Sequence, residues 1–186
     1  MTAEIVPPVT DREALLVELV DERGARVGAL PVAQAHTAPG RLHRAFSVLL
    51  FDDDGRLLLQ QRAGVKTRFP LLWSNTCCGH PLPGQDVTEA AATRLAEELG
   101  VTAELREVGI YRYQAADPGT GLVEDEWDHV LVGRFRGVPR PDPDEVADYT
   151  WRWAAELADA ITVDRAQYTP WLAGVLAVAA DAVSRP

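Results

Sequence analysis

The chain has 186 residues, 47% of them apolar, and a formal net charge of −10, which suits one globular domain with a sizeable core. The acidic balance argues against nucleic acid as a partner. No apolar run approaches the ~20 residues of a membrane helix, and MTAEIVPPVTDREALL lacks the basic patch and apolar block of a signal peptide. A cytoplasmic protein with no membrane partner is expected. An anionic small molecule stays open, because a pocket can be locally basic; Lys66 is the only lysine among many arginines.

In chain order, residues 1–13 read as a loose leader, with Pro7 and Pro8 opposing regular structure, and 14–186 as a single domain. LLVELV (15–20) and ARVGAL (25–30) predict a hairpin around DERG. PVAQAHTAPGRLH is irregular and carries His36 and His43. AFSVLLF (45–51) and RLLLQQR (56–62) predict a second hairpin around DDDG. The next segment, AGVKTRFPLLWSNTCCGHPLPG, shows little periodicity; so long a loop is functional or disordered, and its Trp, Phe and Leu argue against disorder.

DVTEAAATRLAEELG (86–100) predicts a helix capped by Asp86 and ended at Gly100. Strands are expected near 105–115 and 122–136, then a proline-rich loop, a short strand in YTWRWA and a short helix in AAELADA. TPWLAGVLAVAADAV predicts a closing helix with Pro170 in its first turn. Strands mixed with two or three helices imply an α/β sandwich.

Cys77 and Cys78 are the only cysteines, and a bridge between neighbours is strained, so a redox pair is a weak reading. His36, His43 and His80 all fall in irregular segments. In GLVEDEWDH a strand places Glu124 and Glu126 on one face. Three imidazoles and two carboxylates suit a divalent transition metal or magnesium; a structural tetrahedral zinc would more often recruit both cysteines. Glu97 and Glu98 lie in a last helical turn, where the dipole disfavours negative charge, so they are either solvated or compensated by a cation.

From Gly79 to Val101 the chain has the outline of the Nudix signature, with Leu95, Glu97, Glu98 and Gly100 in place. Gln85, Thr93 and Arg94 replace its first glutamate and its Arg-Glu pair. That pattern implies the Nudix fold without Nudix hydrolysis. The pieces AHT with RLHRAFSVLLF, LLLQQR, WSNTCCGHP, EELG, RYQAADP with GLVEDE, and TPW occur in order over residues 35–171. Together they resemble the type 1 isopentenyl-diphosphate isomerases, a Nudix-fold family that isomerises rather than hydrolyses.

The resemblance implies a Nudix-like α/β/α sandwich with a mixed β-sheet. It implies conversion of isopentenyl to dimethylallyl diphosphate by protonation and deprotonation through a tertiary cation. The alternatives are a paralogue acting on a modified prenyl diphosphate, or a diphosphohydrolase. By resemblance Cys78 removes the proton, Glu126 with Tyr113 supplies it, and Trp171 faces the cation. A free thiol titrates at about 8.5, so thiolate character at Cys78 needs help from the backbone or nearby cations.

The implied metal ligands are His36, His43, His80, Glu124 and Glu126, for manganese, zinc or magnesium. Glu98 is implied for a magnesium ion brought with the diphosphate, and Arg62, Lys66 and Arg94 for the diphosphate itself. The expected partner is a small prenyl diphosphate, and the expected state a monomer. Val32 stands where the family usually has a diphosphate-contacting lysine, which either weakens phosphate binding or shifts the duty to an arginine such as Arg68. Gln85 and Trp127 are further departures, and Trp127 either fills the core or reshapes the pocket.

Overall fold

Leu16–Val20 (β1) and Arg26–Pro31 (β2) pair antiparallel, and the turn between them is held by Asp21, whose carboxylate accepts from the Arg23 and Ala25 amides. Gly24 in that turn has φ +77°, and a Cβ there would meet the Trp127 ring at 2.6 Å. Glycine is therefore required by backbone and neighbour alike. The computed structural model describes residues 11–184. Most of the expected leader, residues 1–10, lies outside these; Arg12–Ala14 form a 3₁₀ turn capped by Asp11.

A helical turn, Val32–Ala35 (α1), precedes His36; it is too short to show as periodicity in the sequence. The central strand is His43–Phe51 (β3), followed by Leu57–Arg62 (β4), Trp73–Ser74 (β5) and Cys77–Gly79 (β6). After the helix Val87–Leu99 (α2) come Leu105–Ala116 (β7), Val123–Arg134 (β8) and Val146–Arg152 (β9). Ala154–Val163 (α3) and Leu172–Ser184 (α4) complete the order. β9 begins inside the stretch expected to be loop, and α3 runs longer than AAELADA.

The expected hairpin around DDDG is a correction. β3 and β4 pair only at Phe51↔Leu57. The turn itself is tight, with Asp52 accepting from the Arg56 amide and guanidinium. Beyond it each strand takes other neighbours: β3 pairs in parallel with β8 from His43↔Glu126 to Phe51↔Arg134 and antiparallel with β6. β4 pairs antiparallel with β9 and β5. Two apolar strands joined by a turn form a hairpin only when no better partner is present. β7 and β8 pair antiparallel through eleven positions, so the sheet is mixed.

Alternation along β3 sends Phe46, Val48 and Leu50 to one face and Leu49 to the other. The first set packs with Leu95 and Leu99 of α2, the second with Leu172 and Val175 of α4 and with Trp171. Helices on both faces make this the expected α/β/α sandwich. Asp86 accepts from the Glu89 amide at 3.0 Å and Gly100 closes α2 at φ +61°. Leu95 and Leu99 are fully buried, each contributing roughly 1.5–3 kcal/mol.

The unperiodic segment 63–84 is ordered by its own polar residues. The Thr76 hydroxyl accepts from the Leu50 amide at 2.9 Å and donates to the Leu58 carbonyl at 2.6 Å, bridging β3 and β4 where they part just beyond their paired position. This presents β6, with Cys78, at the mouth of the fork.

Candidate active site

β4, β6, β7, β8 and α2 bring side chains to one pocket of about 490 Å³. Cys78, His80, Glu98, Tyr113, Glu126 and Trp171 are among its walls, as are Arg62, Lys66 and Arg94. His36 and His43 are fully buried behind it. The residues expected to carry the chemistry are therefore brought to one region, whereas Cys77, Gln85, Glu97 and Trp127 are not among the pocket walls. His129, the fourth histidine, lies elsewhere, between Arg44 and Glu107.

Five donor groups form a cluster: His36, His43, His80, Glu124 and Glu126 each offer an atom within 4.8 Å of the others. The backbone sets the histidines. The His36 Nδ1 donates to the Val32 carbonyl and the His43 Nδ1 to the Arg41 carbonyl, both at 2.7 Å. Each Nε2 then turns its lone pair inward. The His43 Nε2 is buried without a hydrogen-bond partner, and the His36 Nε2 faces Glu124 at 2.7 Å. Two lone pairs that close require a cation or a proton between them, so the donor set fits a divalent metal.

Burial would raise the Glu124 and Glu126 carboxyls, but the adjoining histidines, with Arg68 beside Glu124, hold both below the usual range, Glu126 far below it. His80 is pushed down to about 4, chiefly by burial, with His43 and His36 adding to the effect against Glu126. The carboxylates are thus ionised and His80 neutral, the forms that ligate.

Register places Tyr113 opposite Glu126, and its hydroxyl donates to Glu126 Oε2 at 2.6 Å. Burial and the Glu126 charge push the phenol well above its ordinary value. Tyr113 stacks on Tyr111 at 5.4 Å and leans on Trp171 at 5.8 Å. The Arg62 guanidinium lies 5.8 Å from the same indole.

Cys78 sits across from Ser47 in β3. Its thiol is pushed up to about 12, first by burial and next by the Asp128 carboxylate, with Arg62 and the Ser47 hydroxyl pulling the other way. Cations alone do not give the thiolate character expected of it. Asn75 was missed in the sequence: its Oδ1 accepts from the Cys78 thiol at 3.2 Å and from the Trp171 indole N–H at 3.1 Å. One buried amide thus fixes both side chains. Asp128 was missed too; it accepts from Ser47 at 2.7 Å. Cys77 is fully buried in the α2 core, as its small size suits.

On the charged side of the pocket Lys66 contacts Glu98 and Glu145, and Arg94 contacts Glu97, Glu98 and Glu145. Glu145 and Arg12 were not anticipated. Arg68 does not point a free charge into the pocket: Nε bonds Glu124 and Nη1 bonds Glu13. Trp127 packs on Gly24 and is no part of the pocket wall.

A parallel β3–β8 pair, a helix carrying EELG beside it and an acidic pocket at its end define the class. The NUDIX domain family model matches residues 41–172, so the chain belongs to the Nudix family. A crystal structure from Deinococcus radiodurans superposes with a TM-score of 0.69 at 22% identity, covering 87% of this chain and 96% of that one, a likeness of fold. Within that family the chain belongs with the isopentenyl-diphosphate Delta-isomerases. The isopentenyl-diphosphate Delta-isomerase of Nocardia farcinica is 66% identical over 169 residues, 91% of this chain and 96% of the relative. That of Streptomyces griseus is 49% identical over 172 residues, 92% of this chain and 86% of the relative.

Proposed function

We propose that the chain converts isopentenyl diphosphate to dimethylallyl diphosphate, with Cys78 as base and the Tyr113–Glu126 pair as acid. The observation that carries this reading is a thiol and a phenol–carboxylate pair opening on one pocket against an indole face. Hydrolysis has no use for that set. Arg94 also stands where the Nudix signature carries a carboxylate, and it pairs with Glu97.

The terminal methylene takes a proton from the Tyr113–Glu126 pair, and the electron pair of the double bond forms the new C–H bond. The tertiary cation that results lies against the Trp171 π face. The neighbouring CH₂ then loses a proton to the Cys78 sulfur, and its C–H electrons form the new double bond. The burial that makes the thiolate scarce also makes it a strong proton acceptor once formed. Asn75 keeps sulfur and indole in fixed relation. Phe69, edge-on to Trp171 at 5.3 Å, helps keep water from the cation.

His36, His43, His80, Glu124 and Glu126 would hold a manganese, zinc or magnesium ion. When bound, that ion supplies positive charge that makes the Tyr113–Glu126 pair a better proton donor. Lys66, Arg94 and Arg62 would hold the diphosphate, and Glu98 would hold its accompanying magnesium. The chain acts as a single-domain, cytoplasmic monomer; no helix among the described residues is long and apolar enough to cross a membrane.

The variants Cys78→Ala and Glu126→Gln, assayed with isopentenyl diphosphate and magnesium, test these roles. Each is expected to lose at least about 10³-fold in kcat, in the range of an acid–base residue. Full turnover by both would overturn the assignment.

A further inference from the structure

Glu145 lies where the basic side chains of the pocket converge. Its Oε2 contacts Lys66 and, at 3.1 Å, Arg94 Nη2, while Oε1 lies 3.3 Å from Arg12 Nε. Burial would raise this carboxyl, but Lys66 and Arg94 draw it down to about 2, so it is charged at any working pH. Its backbone is fixed: the carbonyl accepts from the Ala63 amide and the amide bonds the Asp142 carbonyl, both at 3.0 Å. The next residue enters β9.

Glu98 shares Lys66 and Arg94 but is almost wholly buried and bonded by Gln60 at 3.0 Å. The Glu145 side chain is 16% exposed on the pocket wall, and its side-chain contacts are all to cationic heads. Of the two carboxylates, Glu145 is the one an incoming anion can displace.

We propose that Glu145 is an internal occupant of the diphosphate cradle. Its carboxylate holds Lys66, Arg94 and Arg12 in the absence of substrate, competes with diphosphate for them, and so sets the affinity of the site. This rests on reading Lys66 and Arg94 as the diphosphate ligands. A carboxylate is a weaker partner for several cations than a diphosphate, so the cradle stays assembled yet exchangeable. The like-charge contact raises the KM and speeds release of the product, which carries the same diphosphate.

The test is calorimetric titration of inorganic pyrophosphate into the purified full chain, wild type against Glu145→Gln and Glu145→Ser, with thermal midpoints recorded to confirm folding. The expected result is pyrophosphate binding tighter by on the order of tenfold in both variants, the effect of removing one like charge near contact distance. The KM for isopentenyl diphosphate falls in parallel. Unchanged or weaker binding in both folded variants, with Lys66→Ala still weakening the wild type, overturns the role of Glu145 alone and makes it a brace. Wild-type binding indifferent to both Lys66→Ala and Arg94→Ala overturns the cradle itself, and the proposal with it.

Discussion

Gly174 joins α4 to the catalytic aromatics, and its replacement by alanine tests that joint. In an exposed helix interior Gly→Ala stabilises by about 1 kcal/mol. Here the added Cβ would lie 2.0 Å from Tyr111 Cζ and 2.4 Å from both neighbouring ring carbons. Ordinary contact begins near 3.4 Å, so ring or helix moves by more than about 1 Å. Overpacking of this kind costs about 1–3 kcal/mol, which outweighs the propensity gain. Tyr111 stacks on Tyr113 with planes 15° apart, and Tyr113 leans on Trp171. The displacement therefore reaches the proton donor and the cation wall, where about 1 Å is worth on the order of 10²-fold in rate. Thermal unfolding with steady-state kinetics is the assay: a lowered midpoint and a kcat reduced by at least about tenfold are expected. A variant as stable and as active as the wild type would show that Tyr111 swings aside freely, and the packing argument would fail.

Tyr113→Phe removes the phenol that bonds Glu126 at 2.6 Å and should lower kcat by about 10²-fold or more while leaving KM near its original value. Arg68→Ala frees one oxygen of Glu124 and should weaken binding of manganese by about 10–100-fold, measured by equilibrium dialysis rather than activity. Metal-free protein should lose stability on acidification in a window set by His80. Its ordinary value of 6.5 falls to about 4 on folding, so the unfolded chain takes up the proton first. The cost, absent above pH 6.5, grows to about 3 kcal/mol by pH 4; His80→Gln should flatten urea midpoints over that interval. An unaltered slope would place the acid sensitivity elsewhere.

The residues that hold atoms in line with chemistry were legible because their types are rare and their spacing is strict. His36, His43 and His80 in unperiodic segments, and Glu124 with Glu126 at strand spacing, announce a shared centre before any fold is known. The fold class followed from the Nudix outline around α2. The splayed β3–β4 pair was not legible, because strand choice is decided by distant partners, β8 and β9, and no local pattern encodes them. Asn75 and Asp128 look like ordinary polar residues until the strands bring them to Cys78. Glu145 lies far from both Arg12 and Lys66 in the chain and meets them only across the pocket. The burial that pushes the Cys78 thiol up was likewise not legible, because the sequence displays nearby cations but not what encloses the sulfur.

The most direct test of the central claim is to incubate the protein with isopentenyl diphosphate and magnesium in D₂O and follow proton and phosphorus spectra. The account predicts dimethylallyl diphosphate that carries deuterium in a methyl group, with the diphosphate intact. Release of phosphate, or recovery of unlabelled isopentenyl diphosphate from folded, metal-loaded protein, would contradict it.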